Sequence, residues 1–166
     1  MFFNRFFKTY IDEKLITIVF WPDKILLNQS LKTKAGFWMD VAPYILLNTT
    51  YSPIEIGNKI LDLLERPSYI IPTPKFNVKN KLSLRLEAVN VKSEKEFMRG
   101  AKLVLIQLRS NFLTFTPTKN NGHKGDESGF RELTELKITE DFKKDSIHLG
   151  NTVLQIKEKC IILNAI

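Results

Sequence analysis

Side chains that often carry out chemistry are scarce in this chain of 166 residues. It contains one cysteine, Cys160, and two histidines, His123 and His148. A zinc site needs three or four such ligands at short spacing, and these three residues do not provide one. The sequence also lacks a Walker loop, a dinucleotide-binding fingerprint and an HExxH helix. We therefore expect neither a metal nor a cofactor.

Nucleophilic or acid–base catalysis is not favoured either. His148 and Cys160 are 12 residues apart, about 18 Å along one helix, which is too far for a Cys–His pair. A capping or solvent-exposed role for His148 and a buried structural role for Cys160 are expected instead. His123 lies in the polar run KNNGHKGDESG (119–129), beside Asp126 and Glu127. It could act as a general base there, but an exposed glycine-rich loop positions such a base poorly. We expect a protein that is not an enzyme.

A Gly-Asn pair occurs twice, in SPIEIGNKIL (52–61) and in DSIHLGNTVL (145–154). Glycines in a loop before a helix can cradle phosphate. Ser52 and Asp145 are good N-cap residues, however, which places each glycine in the second turn of a helix. Glycine there costs about 0.5–1 kcal/mol relative to alanine. We interpret the pair as a structural joint where each helix closely approaches its support, which we expect to be the sheet.

The repeated pair belongs to a longer internal similarity. Gly36-Phe37 and Gly129-Phe130 each precede the Gly-Asn pair by 21 residues, and KLITIVFWPDKILLN (14–28) aligns with KLVLIQLRSNFLTFT (102–116). The pattern predicts two similar helix–strand–strand–strand–helix halves. We expect an α/β (α+β) fold in which a mostly antiparallel sheet is packed by helices.

The predicted elements divide one domain, residues 1–166, into three parts. They are a first half over 1–66, a connector plus strand over 67–91, and a second half over 92–166. Lead-in helices are predicted at FFNRFFKTYIDEK (2–14) and SEKEFMRGAK (93–102), and the third strands at APYILLN (42–48) and LTELKIT (133–139). The proline-containing run 66–81 predicts a connector, and the alternating run LSLRLEAVNV (82–91) predicts a half-buried strand.

Composition sets the class of protein. The chain is 43% hydrophobic and 26% charged, which is typical of one soluble globular domain. Charged residues interrupt the apolar start, and no run approaches about 18 apolar residues, so we expect neither a signal peptide nor a membrane span. With one cysteine, a reducing compartment is expected. We predict a cytoplasmic protein that does not bind membranes.

The formal net charge is +7, with a pI near 9.5. Such a charge favours anionic partners, although lysines interleaved with acids are also typical of an ordinary solvated surface. Arg85, Arg99 and Arg109 fall on or near predicted strands. They motivate one alternative function, a basic nucleic-acid-binding module, whose affinity would fall steeply with salt.

The second half carries a family resemblance. A helix ends at Gly100-Ala101-Lys102, a strand pair finishes at Pro117-Thr118, and a later helix contains Leu149-Gly150-Asn151-Thr152-Val153-Leu154. Over residues 93–160 the chain resembles the CdiI-type immunity proteins of bacterial contact-dependent growth inhibition. The resemblance implies a small cytosolic protein that binds the toxic C-terminal domain of a large secreted effector. It would neutralise that domain, a nuclease type, by covering its active site without chemistry of its own.

A contact surface for such a toxin is expected on the acidic residues of the second half, which offset the overall positive charge. Trp38 is added as an aromatic anchor, although core packing is the alternative for both Trp21 and Trp38. The arginines matching these tryptophans, Arg109 and Arg131, are expected on the surface. The expected toxin-binding residues are His123, Asp126, Glu127, Glu132, Glu135, Glu140, Asp141 and Trp38.

Overall fold

Two β-hairpins of alternating apolar residues form the centre of the fold. The computed structural model describes residues 8–48, 50–75 and 84–163. Its elements are β1 (Lys14–Phe20), β2 (Lys24–Lys32), β3 (Trp38–Asn48), α1 (Pro53–Glu65), α2 (Leu84–Ala88), α3 (Glu94–Met98), β4 (Lys102–Arg109), β5 (Phe112–Asn120), β6 (Phe130–Glu132), a 3-10 turn (Thr134–Leu136), β7 (Ile138–Asp141), α4 (Ser146–Glu158) and β8 (Ile161–Ile162).

The strands form one open, almost entirely antiparallel sheet. Their order is β3-β2-β1-β4-β5-β6, with β7 and β8 also paired to β5; among the strands of the described ranges, only β8 runs parallel to its neighbour. Each predicted hairpin is present, and the second turns on Ser110 and Asn111, which both have positive φ, as a tight two-residue hairpin requires. The α+β class and the two similar halves are confirmed, whereas the residue limits of the three parts stay a prediction.

The halves meet at the central strands with matching register. Thr17 of β1 lies opposite Leu105 of β4, and these two residues are also equivalent in the internal alignment. Antiparallel pairing about that point relates the two halves by an approximate twofold axis. The first half therefore continues outward as β2 and β3, and the second as β5 and then β6 and β7.

The third strands differ between the halves. β3 is continuous, although its pairing with β2 shifts register between Leu27 and Gln29. In the second half the equivalent segment is divided into β6 and β7 by the 3-10 turn, so LTELKIT is a strand only from Ile138 onward. The predicted single strand at 133–139 was therefore wrong in extent, because a turn occurs where the first half has only a bulge.

Helices α1 and α4 cover one face of the sheet and complete the main core. The apolar residues of that face pack against Ile56, Ile60 and Leu63 of α1 and against Val153 and Ile156 of α4. Burying such side chains contributes about 1.5–3 kcal/mol each, before the entropy cost of ordering the chain. This layer of two helices on the sheet is the most extensively buried part of the fold.

Both helices begin as the sequence predicts. The Ser52 hydroxyl accepts from the Glu55 amide, and the Glu55 carboxylate accepts from the Ser52 amide, which forms a capping box at the start of α1. Asp145 caps α4 by accepting from the His148 amide over 2.9 Å. At the other end of α1, the Lys14 ammonium donates to the carbonyls of Leu64 and Arg66. Burial lowers the pKa of Lys14, which is consistent with its role inside the fold.

The repeated glycines lie where α1 and α4 cross. A Cβ atom on Gly57 would fall 1.8 Å from the carbonyl oxygen of Ser146, and one on Gly150 would fall 1.8 Å from that of Pro53. The joint is thus reciprocal, with each glycine receiving the first turn of the other helix. The expectation that the glycines face the sheet was wrong: a sheet side chain could yield to a methyl group, but the partner helix backbone cannot.

The opposite face of the sheet is covered in part by two short helices. Leu86 and Val89 of the α2 segment pack with Phe97 and Met98 of α3 against Trp21. The predicted strand at 82–91 was wrong, since residues 84–88 are helical and residues 82 and 83 lie outside the described part. A run this short fits both the two-residue period of a strand and the 3.6-residue period of a helix. The i, i+3 spacing of Leu86 and Val89 matches burial on a helix.

Of the two predicted lead-in helices, the second is present and the described part of the first is not helical. The second is present as the single turn Glu94–Met98, capped by Ser93. Of the first, residues 1–7 lie outside the described part of the chain. The remainder is not helical, because Tyr10 forms a bridge to Tyr69 in the connector, and Lys14 already belongs to β1.

Replacing either crossing glycine by alanine tests the joint. Gly57→Ala and Gly150→Ala should each lower the free energy of unfolding by about 2–3 kcal/mol, because forced separation of packed elements costs more than the helix propensity gained. Urea denaturation followed by circular dichroism measures the change. Asn151→Ala is the matched control, since this exposed neighbour in α4 gains propensity without a clash. Wild-type stability in both glycine variants would contradict the contact.

Candidate functional site

The six acidic residues expected to contact a partner all lie beyond β5, at one edge of the sheet. Glu132 is on β6 opposite Thr118, and Glu140 and Asp141 are on β7 opposite Leu113 and Phe112. Glu135 belongs to the 3-10 turn between these strands, and Asp126 and Glu127 lie in the loop 121–129. We call Glu132, Glu135, Glu140 and Asp141, which share the β6–β7 segment, the acidic edge.

The acidic edge carries a local charge opposite to that of the whole chain. Within residues 130–141 its four carboxylates outnumber two cations, Arg131 and Lys137, which leaves a net charge of −2. Among the described residues, only Glu140 of this set has a side-chain hydrogen-bond partner: its Oε1 lies 2.7 Å from Nε2 of His148. The other three carboxylates are exposed and unpaired, so their field is available to a cationic partner.

Three large apolar side chains are exposed close to these carboxylates. Phe112 is 50% exposed and Ile147 is 55% exposed; Phe112 pairs with Asp141, and Ile147 precedes His148 in α4. Leu136, in the 3-10 turn, is also exposed. Apolar anchors within a charged rim are typical of protein interfaces. The sequence did not single out these residues, because isolated exposed apolar positions have the same pattern as core positions.

The loop 121–129 is more ordered than its composition predicts. The Gly129 amide donates to the Gly122 carbonyl over 2.8 Å, and the Asn121 amide donates to the Gly129 carbonyl over 2.9 Å. His123 is exposed in this loop, and no hydrogen bond joins its ring to a carboxylate among the described residues. The proposed general-base arrangement of His123 with Asp126 or Glu127 is therefore not formed.

Trp38 does not lie with the acidic residues. It begins β3, at the far end of the sheet, about 24 Å from β7 when five strand spacings of about 4.8 Å are counted. The Lys32 ammonium lies 5.5 Å from its ring centroid. Trp21 is a core residue, and its indole N–H donates to the Phe97 carbonyl over 2.9 Å. Arg109 and Arg131 are both exposed, as expected.

A cleft of about 740 Å³ lies at the end of α3. Lys95 and Arg99 line one side, and His123 and Lys124 of the loop 121–129 line another. We call these four residues and the space between them the basic cleft. Sequence reasoning missed it because its two pairs of residues are far apart in the chain. The only signal was the i, i+4 spacing of Lys95 and Arg99, which would put both on one side of the helix predicted at 93–102.

A second polar cluster lies on the face of the sheet beside α2. Ser30 donates to Asp40 Oδ1 over 2.7 Å, and Arg85 lies 3.8 Å from Asp40 Oδ2. Burial, with the Asp40 charge as a second cause, raises the pKa of Tyr44. Arg85 also pairs with Glu94 at 2.8 Å. Because these charges are matched to one another, the cluster serves to hold α2 against the sheet.

The remaining candidates for chemistry have structural surroundings. Cys160 follows α4, is buried, and its thiol donates to the Leu103 carbonyl over 3.3 Å. Burial raises the pKa of this thiol, which disfavours the nucleophilic thiolate. Within residues 8–48, 50–75 and 84–163, no cluster of three or more possible metal-binding side chains occurs. The same part of the chain contains no helix long and apolar enough to cross a membrane.

The buried thiol gives a measurable expectation. In the folded protein Cys160 should react with a thiol reagent such as DTNB at least about 100-fold more slowly than in urea-unfolded chain, since the thiolate forms only upon opening. Absorbance of the released chromophore measures both rates. Labelling of folded protein at the rate of a free thiol would contradict the burial.

The chain was compared with known proteins. No protein-family model matches it, and no curated protein matches it in sequence.

Its fold is similar to that of a Neisseria meningitidis protein of unknown function. The TM-score is 0.68 at 11% identity, and the match covers 96% of this chain and 99% of the other. It is also similar to a chain of a CdiA-CT/CdiI toxin and immunity complex from Yersinia pseudotuberculosis, with a TM-score of 0.62 at 12% identity. That match covers 91% of this chain and 99% of the other. The chain therefore has a CdiI-like fold.

Proposed function

We propose that the chain is an immunity protein that binds a cognate toxin domain of nuclease type and neutralises it by covering its active site. The observation that carries the proposal is the fold shared with a chain of a toxin and immunity complex over 91% of this chain. A shared fold alone does not fix function. The resemblance of residues 93–160 to the same family is a second line of support.

We place the toxin contact on the acidic edge, together with the exposed side chains of Phe112, Leu136 and Ile147. Nuclease domains bind a polyanion and therefore present cationic surfaces. Unpaired carboxylates would steer such a surface into contact, and the apolar side chains would supply buried area. Asp126 and Glu127 extend the same charge beyond β6. His123 and Trp38 are outside the proposed surface, because the first lines the basic cleft and the second lies at the opposite edge.

The acidic edge is also rigid enough for this role. β7 is held by four residue pairs with β5, and His148 fixes the Glu140 carboxylate from α4. A surface that is ordered before binding loses less conformational entropy on association. Neutralisation by occlusion then needs no catalytic group on this chain, only a partner surface held over the toxin's substrate site.

The alternative of a nucleic-acid-binding module loses its original motivation. The three arginines that suggested it do not share a surface: Arg85 is paired with Asp40 and Glu94, Arg99 lines the basic cleft, and Arg109 ends β4. Arg99 precedes the start of β4 and Arg109 ends it, and the strand itself spans roughly 23 Å along seven residue steps. They do not form a continuous stripe for a nucleic-acid backbone.

Co-expression tests the proposed function directly. The toxin domain encoded by the reading frame immediately upstream should arrest growth, and this chain should restore it by forming a one-to-one complex. Growth curves and co-purification with size-exclusion chromatography measure the two effects. Soluble, folded chain that neither rescues growth nor co-purifies with that domain would refute the proposal.

Charge reversal tests the contact surface. The double variant Glu132→Lys/Glu135→Lys should weaken toxin association at least about 10-fold, mainly through slower association and with less salt dependence, because steering charges act on encounter. Surface plasmon resonance at two salt concentrations measures both constants. Asp23→Lys, a single charge reversal at the exposed turn between β1 and β2, is the control and is compared with each of the single variants Glu132→Lys and Glu135→Lys. Equal losses in the variant and the control would place the contact elsewhere.

A further inference from the structure

We propose that the basic cleft binds a nucleoside phosphate, either free or as the terminal nucleotide of an RNA strand. This binding activity is separate from toxin neutralisation and rests on different residues. Three chain segments converge on the cleft: the end of α3 with Lys95 and Arg99, the loop after β5 with His123 and Lys124, and the end of β8 with Ile162 and the following Leu163. Concave sites of roughly 300–1,000 Å³ take small organic ligands, whereas protein partners use flatter surfaces.

Buried hydrogen bonds fix the walls of the cleft. The side-chain amide nitrogen of Asn120 (Nδ2) donates to the backbone carbonyls of Met98 over 2.7 Å and of Ala101 over 2.8 Å. These bonds tie the end of β5 to the end of α3. The Asn120 side-chain oxygen accepts from the Gly122 amide over 2.9 Å, and its backbone carbonyl accepts from the Leu163 amide over 3.0 Å. One buried asparagine therefore holds all three segments, so the site is formed in advance of a ligand.

No described residue neutralises the positive charge around the cleft. Lys95, Arg99 and Lys124 have no ion-pair partner among the described residues, and the ring of His123 adds a possible donor. The nearest acids in sequence are engaged or directed elsewhere: Glu94 pairs with Arg85 at 2.8 Å, and Glu96 accepts from the Lys92 amide over 2.7 Å. Asp126 and Glu127, in the loop, do not line the cleft. Such a concentration of free cations matches a multiply charged anion.

The apolar lining of the cleft indicates more than an inorganic anion. Met98, Ile162 and Leu163 contribute apolar surface beside the cations, and Leu163 is 48% exposed. A nucleoside phosphate uses both features, with its base on the apolar side chains and its phosphates on Lys95, Arg99 and Lys124. Arginine can bind phosphate through two parallel N–H···O bonds, and its planar guanidinium can stack on a base.

Calorimetric titration of the purified chain tests the proposal, with AMP, ADP, ATP and inorganic phosphate as probes. Binding should tighten from AMP to ATP, and inorganic phosphate should bind at least about 10-fold more weakly than AMP, since it lacks the base. Arg99→Ala should weaken AMP binding about 10-fold or more. Lys34→Ala, an equal charge loss on an exposed residue at the other end of the sheet, should change it less than about 2-fold.

The outcomes separate clearly. Tighter binding of a 5′-phosphorylated RNA trinucleotide than of AMP assigns the strand end as ligand, and the reverse order assigns the free nucleotide; either supports the site. No binding of AMP or the trinucleotide at about 5 mM, equal affinity for AMP and inorganic phosphate, or equal losses in Arg99→Ala and Lys34→Ala would overturn it. Circular dichroism verifies folding, and Lys124→Ala, in the loop, substitutes if Arg99→Ala does not fold. None of these results bears on toxin rescue, so the two proposals fail separately.

Discussion

The close crossing of α1 and α4 is the constraint on which the rest of the structure depends. Each helix places its first turn against a glycine of the other, so that backbone meets backbone at Gly57 and Gly150. Because both helices also cover the same face of the sheet, their separation fixes how the two halves are joined. The pairing of β1 with β4 joins the same two halves through the sheet. The two glycines therefore hold in place the helix layer against which both halves pack.

Local sequence signals predicted the fold wherever short-range chemistry decides it. The caps at Ser52 and Asp145, the hairpin turns and the alternating strands depend on neighbours within a few residues, and the structure has them where the patterns indicate. The internal similarity also predicted the paired halves. It did not reveal that each glycine faces the first turn of the other helix, because a repeat indicates that two positions are equivalent and not which backbone each of them contacts.

The errors have a common physical origin in tertiary packing. Residues 84–88 alternate like a strand, yet they form a helix that packs on the cluster around Trp21. In that helix Arg85 lies beside Asp40. The third strand of the second half is divided by a turn that its sequence does not indicate.

The candidate surfaces were harder to predict from the sequence than the fold. The residues of the acidic edge are close in sequence and lie at one edge of the sheet, whereas Trp38, predicted with them, lies five strands away; their contact with a toxin stays a prediction. The basic cleft joins residues from three distant segments, and no local pattern encodes that.

The interruption of the outer strands has a consequence for the protein in concentrated solution. An open sheet exposes unpaired amides and carbonyls at both edges, and long flat edges let identical chains join side by side. Here β3 loses its regular pairing between Val41 and Ile45, around Pro43, and the opposite edge is divided into β6 and β7. Neither outer strand keeps more than four consecutive ladder residues. The same irregularity in both halves thus disfavours side-by-side pairing of identical chains into a fibre.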